Sequence, residues 1–338
     1  MNLLSRTKDQ FLDFGEIHYL VDSDYRTIAQ GWSRADRTGP LDLYLQRANA
    51  QLSYVFRTGD YGSDALALQA AIDAQVDFRG DVILFTPGAY SIATARTIDV
   101  PDARWLGPRT SAPEVARASL TNAAVANVFA IGAAADRMEI GNLELIPVTA
   151  QTMFDVAAID KLHVHDTFVN MDGVAASTST IAFQIAASAQ FMLFEDMFIW
   201  CDAAQGPWIN CAGALKGLTA KNFRIFQEAG TWAAVIDFEG VGTVSFAIGP
   251  GTISGTDGAA VTSLITAADK TVGTGHGFVF GVRSSTAGPA AGSLAVATGL
   301  AAEISIVDCW RAVDTDAAQP TFTSGGAISW ESGVPYTG

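Results

Sequence analysis

Charge is scarce in this 338-residue chain: Lys, Arg, Asp and Glu together make up 16% of it, against 49% hydrophobic residues. The charge present leans one way, with 20 Lys and Arg against 35 Asp and Glu, a formal net charge of −15. Beyond Arg137 only seven basic residues remain (Lys161, Lys216, Lys221, Arg224, Lys270, Arg283, Arg311) against nineteen acidic ones. Nucleic acid is therefore not an expected partner, because phosphate contacts need clustered Lys and Arg. Long apolar runs are missing as well. No stretch is long enough to span a bilayer, and the first eleven residues hold no secretion-signal core, so no membrane association is expected. The three cysteines, Cys201, Cys211 and Cys309, form an odd set without metal-like spacing and read as small buried hydrophobes made in a reducing cytoplasm. Nothing resembles a phosphate loop, a serine or cysteine triad or a zinc set, so neither a cofactor nor a metal is expected.

What the chain does have is a refrain. A short apolar strand, a few small residues, a second strand and usually Asn or Asp recur seven times from Val128 onward. The second strand and its stop read Met138-x-Ile140-x-Asn142, Leu162-x-Val164-x-Asp166, Met192-x-Phe194-x-Asp196, Leu218-x-Ala220-x-Asn222, Val244-x-Phe246-x-Ile248, Phe278-x-Phe280-x-Val282 and Ile304-x-Ile306-x-Asp308. Successive stops lie 24, 30, 26, 26, 34 and 26 residues apart. Upstream of each sits a first strand, as in Phe129-x-Ile131, Phe154-x-Val156, Phe183-x-Ile185, Ile209-x-Cys211, Ile236-x-Phe238, Leu264 and Leu294-x-Val296. Period-2 alternation inside a repeat of this length specifies a solenoid of strands, one coil of a parallel β-helix per unit.

Residues 1–57 do not follow the repeat. Leu41, Leu45, Ala48 and Leu52 stand at helical spacing and predict an amphipathic helix over Leu41 to Phe56, preceded by an arm without periodicity. Next come Thr58-Gly59-Asp60-Tyr61-Gly62-Ser63-Asp64 and a short helix, ALALQAAID, capped by Ser63 or Asp64 with Ala65, Leu68 and Ile72 as its apolar face. Asp81-Val82-Ile83-Leu84-Phe85-Thr86-Pro87-Gly88-Ala89-Tyr90 then reads as a strand, a turn and a new strand. The stretch from Gly59 to Gly107, including Leu68-Gln69-Ala70-Ala71-Ile72-Asp73 and Trp105-Leu106-Gly107, resembles the opening of the β-helix in the pectate-lyase-like superfamily, with Tyr61 where glycine is usual. That resemblance implies an all-β, right-handed parallel β-helix over 58–311 with an opening cap at 58–80, and a C-terminal closing segment at 312–338.

Stacked coils turn each repeat position into a column about 4.8 Å per step. The outward column of the first strand is Ala130, Asp155, Gln184, Asn210, Asp237. Asp155 and Asp237 are three coils, about 14 Å, apart, beyond the roughly 10 Å limit of a glycosidase carboxylate pair. In the stop column, Asp166 and Asp196 are one coil apart, near the spacing of a retaining pair, with Glu195 alongside; Asn and Asp there also suit tight bends that bond their own backbone. A third strand buries Leu143/Leu145, Thr167/Val169, Met197/Ile199 and Phe223/Ile225 and points Glu144, Phe168, Phe198, Arg224 and Trp310 outward, an aromatic column that suggests contact with another subunit or with carbohydrate. His163 and His165 share one strand face, as metal ligands can, but without a third ligand beyond Asp166. Ser254-Gly255-Thr256-Asp257-Gly258 and Thr274-Gly275-His276-Gly277 resemble fragments of the motifs of polygalacturonase-type β-helix glycosidases, in which Asp257, Asp269 and His276 would act. The paired Asp-Asp motif expected between them is absent, with Asp269 alone in its place.

No constellation among these specifies a catalytic site. The layout of a non-repeating N-terminal segment followed by a β-helix resembles tailed-bacteriophage spikes. That resemblance implies a non-enzymatic virion protein (spike, fibre or capsid decoration), a homotrimer attached to other virion proteins through residues 1–57 and able to contact host-surface polysaccharide. The alternative it implies is a polysaccharide-degrading tailspike depolymerase, a glycosidase or lyase.

Overall fold

The computed structural model of the chain describes residues 42–46, 53–109, 118–122, 127–186, 188–212, 215–238, 244–256, 260–261, 264–266, 276–284, 295–297, 303–307, 309–311, 322–324 and 328–331. These form an all-β parallel solenoid whose chain visits three long sheets in turn. Sheet 1 has twelve strands in the order Ser53–Arg57, Asp42–Gln46, Val82–Phe85, Arg104–Leu106, Met138–Gly141, Leu162–His165, Met192–Glu195, Leu215–Lys221, Val244–Ile248, His276–Phe280, Glu303–Val307 and Ile328–Glu331. Sheet 2 has nine, from Gly88–Ile92 through Glu144–Ile146, Phe168–Met171, Phe198–Cys201 and Phe223–Gln227 to Trp310–Arg311. Sheet 3 also has nine, from Arg96–Ile98 through Asn127–Ile131, Thr152–Val156, Ile181–Ile185 and Ile209–Cys211 to Phe322–Ser324.

Alternation along each strand sends one side chain in and the next out, so in-register parallel pairing stacks like on like. Phe154 pairs with Phe129 on one side and Phe183 on the other, and the three rings stack at centroid distances of 4.9 and 5.1 Å. The aromatic series continues toward the cap through Trp105, Phe85 and Tyr90, and away from it through Phe194, Trp208 and Phe223. All nine are essentially without solvent contact. Cys201, Cys211 and Cys309 are buried free thiols, as small hydrophobes are.

The cap forms where the opening motif places it. Ser63 is the N-cap of the helix Asp64–Asp73, its hydroxyl accepting from the Leu66 N–H at 3.2 Å. Asp64 instead accepts from the Ser91 N–H at 2.7 Å and ties the helix to the first strand of sheet 2. Ala65, Leu68, Ala71 and Ile72 are buried over the end of the core. Asp81 is buried beneath the helix exit, paired with Arg79 at 2.6 Å and accepting the Val76 N–H at 2.9 Å. A second short helix, Thr58–Tyr61, precedes the cap.

Two expectations are corrected. Where a helix is expected over Leu41 to Phe56, the described residues are strands: Asp42–Gln46 and Ser53–Arg57 pair antiparallel with each other, and Asp42–Gln46 pairs antiparallel with Val82–Phe85. Leu41 and Leu45 also alternate with Leu43 between them, and Leu43 and Leu45 are fully buried. Pairing the otherwise open edge of sheet 1 while burying that face outweighs local helix propensity. The second correction is of register. Phe246, rather than Val244, lies beside Leu218, and Gly277 lies beside Phe246. Ile248 is therefore a core residue, while Phe278 faces out, 40% exposed, and stacks on Phe280 at 5.1 Å. Gly277 takes the inward place because a Cβ there would lie 2.2 Å from the Phe246 ring. The arm before residue 42 lies outside the described residues. Within the expected closing segment, Phe322–Ser324 and Ile328–Glu331 continue sheets 3 and 1 in parallel register. Among the described residues no helix is long and apolar enough to cross a membrane.

Candidate functional site

The stop column is a set of backbone turns. Asn142, Asp166, Asp196 and Asn222 have φ of 55°, 47°, 53° and 52°, and Gly281 in the same column has 58°. This left-handed conformation admits Gly, Asn and Asp most readily, which accounts for the residue types without invoking chemistry. The N–H groups of Asn142, Asp166 and Asp196 each donate to a carbonyl of the next coil, those of His165, Glu195 and Lys221. Asp166 and Asp196 thus stand one coil apart, at the corner between sheets 1 and 2.

Beside that corner, the outer face of sheet 1 carries a cluster of charged side chains around two imidazoles. Register places Arg104, Glu139 and His163 in one outward column and His165, Glu195 and Lys221 in the next. Arg104 holds Glu139 through Nε to Oε2 at 2.5 Å and Nη2 to Oε1 at 3.1 Å. Glu139 Oε1 is 3.0 Å from His165 Nε2, and His165 Nδ1 is 2.9 Å from Asp166 Oδ2. The two imidazoles lie 4.7 Å apart between ring centres. His163 Nε2 is 3.5 Å from Glu195, which Lys221 Nζ contacts at 2.7 Å. The ring of His165 sits over Gly141, where a Cβ would come within 2.5 Å of it.

The electrostatics follow from these contacts. Burial alone would raise the Glu139 carboxyl, but hydrogen bonds from His165 and Arg104 outweigh it and hold the group at about 2. Burial pulls His165 down, yet its hydrogen bonds to Glu139 and Asp166, and their charges, raise it overall. His163 is lowered, first by burial and then by the charge of His165. The Lys221 hydrogen bond lowers Glu195. A glycosidase needs one carboxyl kept protonated as general acid, whereas Glu139 and Glu195 are both held ionised. Among the described residues no group of three or more His, Cys, Asp or Glu side chains is placed to hold a metal ion.

A second surface lies on the outer face of sheet 2. The expected column is real in register: Glu144, Phe168, Phe198, Arg224, with Thr252 and Arg283 intervening before Trp310. Its aromatic part is shorter than expected, because Trp310 is separated from Phe198 by those three residues. Phe168 is only 7% exposed and packs on Phe198 at 5.1 Å, and Glu144 is buried and accepts from Asn170 at 2.8 Å. The patch instead widens sideways to Trp200 and Phe226, half-buried rings 5.4 Å apart. Arg224 lies over Phe198 at 5.4 Å, and Trp200 Nε1 donates to Glu228 at 2.9 Å. One further step of the same alternation, from Phe198 to Trp200 and from Arg224 to Phe226, reveals these two residues in the sequence.

The polar column of sheet 3 is confirmed in register as Ala130, Asp155, Gln184, Asn210 and Asp237. Asn210 bonds to Gln184 at 3.0 Å and Thr266 to Asp237 at 2.7 Å, so its members serve one another as a ladder. Asp257 and Asp269 lie outside the described residues. His276 begins the strand His276–Phe280, and its side chain also lies outside them. No family model matches the chain, and neither a curated protein nor a solved structure matches it.

Proposed function

We propose that the chain is a non-enzymatic structural protein of a bacteriophage particle, a spike, fibre or capsid decoration that projects its β-helix from the virion as a homotrimer. The observation that carries this reading is the aromatic patch Phe198–Trp200–Phe226, backed by the buried Phe168, on the outer face of a parallel sheet. Clustered outward rings on a solenoid favour a partner surface. A neighbouring copy is the first partner of that surface and host-surface polysaccharide the second. The placement on a phage particle rests on the resemblance of the layout to tailed-phage spikes, with residues 1–57 as the attachment segment.

Light scattering at micromolar concentration tests the assembly: the reading expects three times 35.5 kDa, and a monomer counts against it. Incubation with host capsule and lipopolysaccharide tests the rest. Release of reducing or unsaturated ends that Asp166→Asn or Asp196→Asn abolishes would replace this function with that of a depolymerase.

A further inference from the structure

The His165 imidazole has a carboxylate oxygen at each nitrogen, Glu139 Oε1 at 3.0 Å from Nε2 and Asp166 Oδ2 at 2.9 Å from Nδ1. A neutral imidazole carries one N–H and one lone pair, so it bonds to one carboxylate and sets a lone pair against the other. Only the imidazolium donates to both. We propose that Arg104, Glu139, His165 and Asp166 form a pH-sensitive clamp on the outside of the solenoid, closed when His165 is protonated and opened at the Asp166 corner when it is not.

The surrounding geometry decides which contact opens. The ring has little freedom to shift, because it lies against the bare Cα of Gly141. Glu139 is anchored from its far side by two bonds from Arg104. Asp166 is the exposed partner, its side chain 49% open to solvent, and among the described residues its carboxylate has no such side-chain anchor. Loss of the proton therefore releases Asp166 toward water and leaves Glu139 and His165 sharing the remaining N–H. The corner that loosens leads into sheet 2 through Thr167, whose hydroxyl bonds to the His165 carbonyl at 2.7 Å, and then Phe168 of the aromatic patch.

Every charged group facing His165 enters the balance. Glu139 comes from the preceding strand, Asp166 from its own corner, His163 from its own strand, and Glu195 with Lys221 from the following two. Arg104 acts through Glu139, and Lys161 acts on His163. His165 is raised on folding, so its contribution is complete below its ordinary value of 6.5 and is lost as pH rises through the raised one. Glu139 is depressed to about 2, so its contribution is present above 4.5 and is lost as pH falls toward 2. His163 is depressed and opposes His165, its contribution being present above 6.5 and falling away below. Both stabilising contributions are complete between about pH 4.5 and 6.5, with His163 moderating the acid side, and the clamp opens as pH rises above 6.5 through the raised value of His165.

The test uses the full chain and two readouts. Urea midpoints from pH 5.5 to 8.5 are measured for the wild type, His165→Asn, His163→Asn and Asp166→Asn. Hydrogen exchange, corrected for intrinsic rates, is followed in peptides covering 160–170. The clamp requires faster exchange of that segment at pH 8.5 than at 5.5 in the wild type and no such difference in His165→Asn. His163→Asn steepens the gain in urea midpoint toward acid, and Asp166→Asn flattens it while the chain stays folded. Equal pH dependence in the wild type and His165→Asn, in both readouts, overturns the proposal. A histidine resonance for His165 that titrates below 6.5 overturns it independently of any variant's stability.

Discussion

Phe154 offers the sharpest test of the idea that one stacked column holds the coils together. Its ring has no solvent exposure and lies between Phe129 at 4.9 Å, 25° from parallel, and Phe183 at 5.1 Å, 10° from parallel. Removing a buried phenylalanine ring costs about 3–5 kcal/mol. Phe154→Ala belongs in the upper part of that range, because two aromatic contacts go together, each worth about 0.5–1.5 kcal/mol beyond the area buried. Neighbouring coils cannot close over the gap, since each is pinned in register by its own ladder to the next strand. Phe154→Leu retains most of the apolar volume and is expected to cost about 1.5 kcal/mol. Urea unfolding followed by the fluorescence of the buried Trp105, Trp208 and Trp232 measures both. Because a solenoid is coupled mainly between neighbours, proteolysis of Phe154→Ala should begin in the coils carrying Phe129 and Phe183. An alanine variant that loses less than about 1.5 kcal/mol, or no more than the leucine variant, would refute the reasoning.

Two other expectations concern positions singled out in the sequence. Asp196→Gly should lie within about 0.5 kcal/mol of the wild type and Asp196→Ala should lose about 1 kcal/mol, because φ of 53° suits glycine and penalises a Cβ; a glycine variant less stable than the alanine one contradicts the turn role. Burial, only partly opposed by a backbone hydrogen bond with Ala203, pushes the Cys201 thiol up to about 12. Native protein at pH 8 should therefore leave Cys201 unreacted toward a disulfide reagent, with Cys211 and Cys309 equally shielded, and all three should react in urea. A fast-reacting thiol in the native protein, mapped to any of the three, refutes that.

The repeat was legible because inward positions of a stacked sheet tolerate little but apolar side chains, and Phe129, Phe154 and Phe183 occur at matching places in successive units. The stop residues were legible for a backbone reason, since left-handed corners select Asn, Asp and Gly. Legibility failed where two patterns coexisted in one segment. Leu41, Leu43 and Leu45 satisfy alternation while Leu41, Leu45 and Leu52 satisfy the helix, and only the open edge beside Val82–Phe85 decides between them. It failed again at Phe246, which pairs two residues away from the expected place, and at Gly277, where the inward places moved off Phe278 and Phe280.

The candidate site was half visible. His163 and His165 share a face by alternation alone, but their partners do not follow from local sequence. Glu139 precedes His165 by 26 residues and Arg104 precedes Glu139 by 35, and Arg104 lies before the refrain begins. The residues of the chain by themselves determined the all-β solenoid, its coil length, its capping helix and its corners, because each depends on interactions within one unit or between like positions. The tertiary structure alone decided which charges meet across coils and how far the aromatic patch spreads. Those contacts are set by lateral register between strands roughly thirty residues apart, and a shift of one residue turns every side chain to the opposite face.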